Sequence, residues 1–188
     1  MKRLVSVLLL SCLMILAGCN SISKYDDEDV AAIVRGEEIT VGELRLLYPD
    51  DKILNNLDGM IKAKLAEQEV KRLNLDVSEE LQEIQLSKDS IVDSYPPDDD
   101  ESEIAKDTRK FYESQAKKLG MEPKEFFEKH VTASQEIGVY LQAYVEKVLG
   151  EPMWDNKDFD VDELNKKANA VLDKLMEDHK DEIEKFIK

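Results

Sequence analysis

A short β-leaning stretch, AAIVRGEEIT at residues 31–40, interrupts a chain that otherwise reads as helix. Ala31, Ile33 and the aliphatic part of Arg35 alternate with Ala32 and Val34. Arg35-Gly36-Glu37-Glu38 then makes a turn, with Gly36 supplying the permissive backbone. A lone strand cannot satisfy its own backbone hydrogen bonds, so the fold must bring another part of the chain alongside it. That requirement decides the architecture more than any helix does.

The helices announce themselves by caps and stripes. Thr40 followed by Glu43 forms a capping box that opens a short helix ending at Pro49. Asp50 or Asp51 is placed to cap the next, whose stripe runs Ile53, Leu57, Ile61, Leu65, Val70 and Leu73. Gly59 within it costs about 1 kcal/mol relative to alanine, which suggests a close approach by a neighbour. Asn74 suits the left-handed position after a helix, and Ser78 is the cap of one presenting Leu81, Ile84, Ile91 and Tyr95. The proline and acid break at 95–103 precedes a helix with Ile104, Thr108, Phe111/Tyr112, Gln115 and Leu119, closed by Gly120. Pro123 opens the longest pattern, with Phe127, His130/Val131, Ser134, Ile137, Leu141, Tyr144/Val145 and Val148 on its stripe. Asp160 and Glu163 form a box-like cap for the last helix, carrying Val161, Leu164, Ala168, Val171/Leu172, Leu175 and His179. The tail DEIEKFIK fits helix or alternation equally well.

The first residues belong to targeting. MKRLVSVLLLSCLMILAGCN has a basic start at Lys2 and Arg3, an apolar run from Leu4 to Leu16, and small residues before a cysteine. It is too short and wrongly flanked for a membrane-spanning helix. Leu16-Ala17-Gly18-Cys19 looks like a bacterial lipobox, the alternative being a plain signal peptide with a chance cysteine. The expectation is a signal peptide over 1–18, a lipidated Cys19, an acidic solvated tether over 19–29, and a helical domain over 30–188. Two acyl chains on Cys19 suffice for stable anchoring to the outer face of a bacterial membrane. Cys12 leaves with the signal, so Cys19 is the one mature cysteine and no intrachain disulfide can form. The signal also takes Lys2 and Arg3 but no acid, so the formal charge of −16 becomes −18. Such a surface repels nucleic acid and anionic head groups, and neither is expected as a partner of the protein surface.

Groups for catalysis are scarce. His130 and His179 are the two histidines, one on an apolar stripe and one near a helix end. There is no HExxH spacing and no Gly-rich loop for phosphate. Asp158, Asp160 and Asp162 fall at the first, third and fifth positions of a calcium loop, but Glu163 stands where glycine is needed and Asn169 where the bidentate glutamate belongs. Asp26–Asp29 and Asp98–Asp100 read as solvated acids. No enzyme activity, metal or cofactor is expected. Binding suits the composition better, through a groove lined with aromatic and methionine side chains that repack around varied partners. Phe126, Tyr140 and the Met153-Trp154 pair fall off the main stripes or in a connection and are the candidate client-contact residues. Met121, Phe127 and Tyr144 are expected in the core.

AAIVRGEEITVGEL and the later LDGMIKAKLAEQEVKRLNLDVSEELQEI resemble the N-terminal domain of the SurA/PrsA family of extracytoplasmic chaperones. Gly36, Glu37, Ile39, Thr40, Leu57, Ile61, Leu65, Glu69, Leu75, Val77 and Ser78 match the family's strand and helix patterns. Arg35 stands where asparagine is usual, and Asn74 where glycine is usual. KLGMEPKEFFEKH is similar to a later helix of the family, and LDKLMEDHKDEIEKFI to the returning segment in PrsA. The resemblance implies a mainly α domain closed by a small two-stranded sheet, in which Glu182–Ile187 pairs with Ala31–Val34. PrsA and SurA carry a prolyl-isomerase domain before the returning segment. Here Leu149 to Asp160 fills that gap, about a dozen residues against the roughly 50 a domain needs. The implied function is holdase-like capture of unfolded or secreted proteins without isomerase activity. The alternative is a dedicated accessory lipoprotein that binds one folded partner in an envelope or spore complex.

Overall fold

The computed structural model describes residues 22–150 and 160–188. Its elements run β1 (Val30–Val34), β2 (Glu37–Thr40), α1 (Val41–Leu47), α2 (Ile53–Arg72), α3 (Ser78–Leu86), α4 (Lys88–Asp93), α5 (Glu103–Lys118), α6 (Pro123–Leu149), α7 (Val161–Asp178) and β3 (Ile183–Lys185). The fold is mainly helical with a small antiparallel sheet in the order β2-β1-β3.

β1 has two partners rather than one. Val34 pairs with Glu37 across a two-residue loop in which Arg35 and Gly36 both take positive φ, 50° and 83°. Positive φ at both central positions matches the right-handed twist of the flanking strands, so the expected four-residue turn tightens and Glu37–Thr40 becomes strand. The tail supplies the other edge: Ala32, Ile33 and Val34 face Lys185, Glu184 and Ile183. Backbone bonds from Arg35 N to Glu182 O and from Phe186 N to Ala31 O, both 2.9 Å, extend the pairing at each end. The sheet is therefore three-stranded, and β1 is its centre.

Beneath it lies α2. Ile53, Leu57, Ile61 and Leu65 are buried at three- and four-residue steps and join Ala31, Ala32, Val34, Ile39, Leu44, Leu175 and Ile187 in the main core. α2 runs against both α6 and α7. A second cluster of Ile91, Tyr95 and Phe127, flanked by Tyr112 and Val131, joins α4, α5 and α6.

Caps are met in part as expected. Thr40 and Glu43 close a reciprocal capping box. Asn74 has φ 52°, and Gly120 has φ 62° with Met121 N bonded to Ala116 O. Pro123 opens α6, and the Asp160 side chain accepts from the N–H groups of Asp162 and Glu163. Others differ. Asp50 begins a 3-10 turn and faces Arg45 and Lys118, so α2 starts at Ile53 without a side-chain cap. Ser78 donates its hydroxyl to Asp76 and caps nothing, and its helix breaks at Ser87 into α3 and α4. A Cβ at Gly59 would meet nothing within 4 Å, so no element approaches there.

The expected solvated tether docks from Ile22 onward. Ile22 is 2% exposed in the main core, and Tyr25 packs against it. Arg45 reaches across to pair with Asp27 and donates to the Tyr25 carbonyl at 2.9 Å. Burial disfavours the Arg45 charge, yet Asp27 and Asp50 outweigh it and hold the guanidinium pKa above its ordinary value. Gly42 permits the contact: a Cβ there would sit 3.0 Å from Asp27 O. Two apolar residues among acids are enough to fasten this segment.

Candidate functional site

A groove opens between α3 and α6, beside the turn that joins α2 to α3. α2 ends with Leu75 N bonded to Val70 O, and Asn74 in the left-handed region redirects the backbone. Asp76 then accepts from the Ser78 N–H at 3.1 Å and from its hydroxyl at 2.6 Å, fixing the start of α3. Those two bonds hold the Asp76 carboxyl below the usual range. α3 buries Ile84 alone among its residues, so it leans on α6 along one edge and leaves the rest of that face open.

Two depressions of about 350 and 550 Å³ lie there and share Glu80, Val139 and Gln142 as lining, forming one continuous trough. Leu75, Val77, Val139 and Ala143 make a half-buried floor. Gly138 leaves the second depression open, since a Cβ there would meet nothing within 4 Å. A bond from Gln85 Nε2 to Glu136 Oε1 at 2.9 Å ties the two walls. Four acids line the trough, Asp76, Glu80, Glu83 and Glu146, against one base, Lys147. Gln142 donates to Glu146 at 2.8 Å and orients it.

The expected contact residues fare differently. Phe126 is 1% exposed, stacked on His130 at 5.8 Å between ring centres and tilted against Tyr112 at 6.1 Å. It is a core residue and not the exposed surface residue expected. The reason is the breadth of the buried face of α6, which is flanked by α1 on one side and by α4 and α5 on the other, so adjacent Phe126 and Phe127 are both covered. Tyr140 is half-buried with Lys71 Nζ 5.9 Å from its ring centre, above the end of α2 and outside the trough lining. Cys19, Met153 and Trp154 lie outside the described residues. Leu75, Val77 and Val139 were not singled out by stripe analysis, because Leu75 and Val77 precede the first turn of α3 and Val139, within α6, lies off the expected stripe. Gly138 in the middle of the longest helix was the available signal.

A third depression, of about 500 Å³, sits beside α5 and is lined in part by Pro49, Phe111 and Lys118. Of the expected α5 stripe, Ile104 and Phe111 are 82% and 41% exposed, whereas Gln115 is buried together with Ala105 and Ala116 and Tyr112 packs against the second cluster.

Ionisable groups elsewhere are spent on structure. His130 Nδ1 lies 2.8 Å from Leu46 O, and His179 Nδ1 2.7 Å from Glu182 Oε1. Glu69, 5% exposed, accepts from Arg72 and from Arg35, and these bonds, Arg72's first, hold its pKa below the ordinary value against the opposing effect of burial. Among the described residues no three acids, histidines or cysteines gather as metal ligands, and no helix is long and apolar enough to cross a membrane. Compared with known proteins, the chain matches no family model, no curated protein and no solved structure.

Proposed function

We propose that this protein is a lipid-anchored extracytoplasmic holdase, tethered at Cys19 and capturing unfolded or secreted polypeptides without covalent chemistry, cofactor or isomerase domain. The observation that carries this reading is the open α3/α6 trough, with an aliphatic floor at Leu75, Val77 and Val139 and a polar rim. Such a surface offers side chains to a partner segment while keeping it reversible. The lipobox-like Leu16-Ala17-Gly18-Cys19 supports the location. Resemblance to the SurA/PrsA N-terminal domain supports the client class.

The test follows light scattering from a chemically unfolded client mixed with residues 20–188, which contain every described element. Suppression that is lost with Gly138→Phe, which fills the trough, supports the reading. Scattering equal to that with an unrelated acidic protein overturns it. A second reading, a dedicated accessory lipoprotein for one folded partner, is favoured by the fixed patch of Ile104 and Phe111 on α5. Crosslinking in cells from that patch to one protein in defined ratio would establish it.

A further inference from the structure

The trough's walls differ in charge from its floor, and this contrast sets what it can hold. Leu75, Val77 and Val139 offer a half-buried aliphatic floor. Above the floor, Asp76, Glu80 and Glu83 stand on the α3 side and Glu146 on the α6 side. Lys147 is the single counter-charge in the lining. Acids from both walls act on a bound segment together, since the screening length in physiological salt, about 8 Å, is comparable to the reach across a groove between packed helices. The chain's net charge of −16 adds a field of the same sign.

We propose that the α3/α6 trough binds cationic amphipathic segments, in which aliphatic residues at helical spacing are flanked by lysine or arginine. This rests on the holdase reading of the same trough and names its client class. The nine residues of α3 span about 13 Å at 1.5 Å per residue, so the wall matches between two and three turns of a helical ligand. Aliphatic side chains at i, i+3 or i+4, and i+7 would meet the floor, while the intervening bases meet the acids on either wall. Gln142 holds the Glu146 carboxylate in place, and Ser78 holds that of Asp76 charged, so part of the rim is set before a ligand arrives. Acidic segments would meet like charge on both sides of the floor.

The experiment is fluorescence anisotropy with residues 20–188 and three labelled 14-residue peptides: one of leucine and lysine at helical spacing, one with glutamate for lysine, and one with serine for leucine. The leucine–lysine peptide is expected to bind at least tenfold tighter than either other peptide. Its affinity should fall about tenfold between 50 and 300 mM salt. The triple variant Glu80→Gln/Glu83→Gln/Glu146→Gln should weaken it at least tenfold. Neutralising Glu101, Asp107 and Glu113 around α5, the same change in net charge, should leave it within twofold. Gly138→Phe should abolish binding while the circular dichroism melt is no lower than the parent's. Equal losses from the two triple variants would overturn the proposal, as the field of the whole chain and not the rim would be responsible. If the leucine–glutamate peptide binds as tightly, and both are lost with Gly138→Phe, the cationic class falls and the holdase reading stands. If no peptide binds, both fall.

Discussion

Arg35 Nη1 donates to Glu69 Oε1 at 2.8 Å, joining the tip of the β1–β2 hairpin to the last turns of α2. The pairing is possible because Arg35 sits in the left-handed region of a two-residue turn, which points its side chain back over the helix. Arg72 closes on the same carboxylate through Nε at 3.0 Å and Nη2 at 2.7 Å, and Arg35 also lies 3.5 Å from Glu182 beside β3. Glu69 thus ties hairpin to helix, and Arg35 extends the link to Glu182 ahead of the returning strand. Glu69→Ala should cost about 1 to 2 kcal/mol, because Arg35 and Arg72 lose their shared partner but remain open to water. Urea denaturation of the variant against the parent measures it, and a loss under about 1 kcal/mol would show the network to be solvated.

The same carboxylate gives the protein an acid limit. Its folded pKa lies below the ordinary 4.5, so the unfolded chain binds its proton more readily. The stabilisation is present above that ordinary value and drains away as pH falls through the lower folded value. Thermal melts from pH 7 down to 3 should show stability declining below about 4.5, and Glu69→Gln should flatten part of that decline. Parallel curves for the two proteins would remove Glu69 as a cause.

Phe126→Ala should behave as a core deletion. The ring is enclosed by Tyr112 and His130, so truncation is expected to cost about 3 to 5 kcal/mol and lower the melting temperature steeply. A variant that melts like the parent but binds clients poorly would return Phe126 to the surface.

Gly36→Val tests the hairpin. At φ 83° a β-branched side chain meets its own backbone, with a cost of about 1 to 2 kcal/mol. The variant should lose stability by denaturant titration, whereas Gly59→Ala, in an unencumbered helical position, should gain up to about 1 kcal/mol.

Cys19→Ala should abolish incorporation of labelled palmitate and release the protein from the membrane fraction. Retention of the label would place the modification elsewhere.

What could be read in the sequence divides along physical lines. Stripes with strong caps, such as Thr40–Glu43 and the Gly120–Met121–Pro123 run, carry local information and appear where expected. The pairing of the tail with β1 was reachable through resemblance, since alternation in DEIEKFIK alone does not separate strand from helix. Glu37–Thr40 was missed as strand because two of its four residues are glutamates, and the Arg35-Gly36 geometry that turns them into a hairpin is a backbone property. Phe126 was misjudged because a single stripe assumes one covered face, whereas α6 is covered on several. The trough depends on what α3 fails to cover, and spacing along one helix says nothing about that.

β1 also imposes an order of events. Its outer partner begins at Ile183, about 150 residues beyond Val34, so during synthesis the strand has β2 on one side and a bare edge on the other. Contacts so far apart in sequence form late. Until Lys185 has emerged, the nascent chain carries an open template for adventitious strand addition next to the alanines of its own core. A copy stalled or clipped ahead of β3 is therefore incomplete at its centre, although the last helix ends at Asp178, before β3 begins.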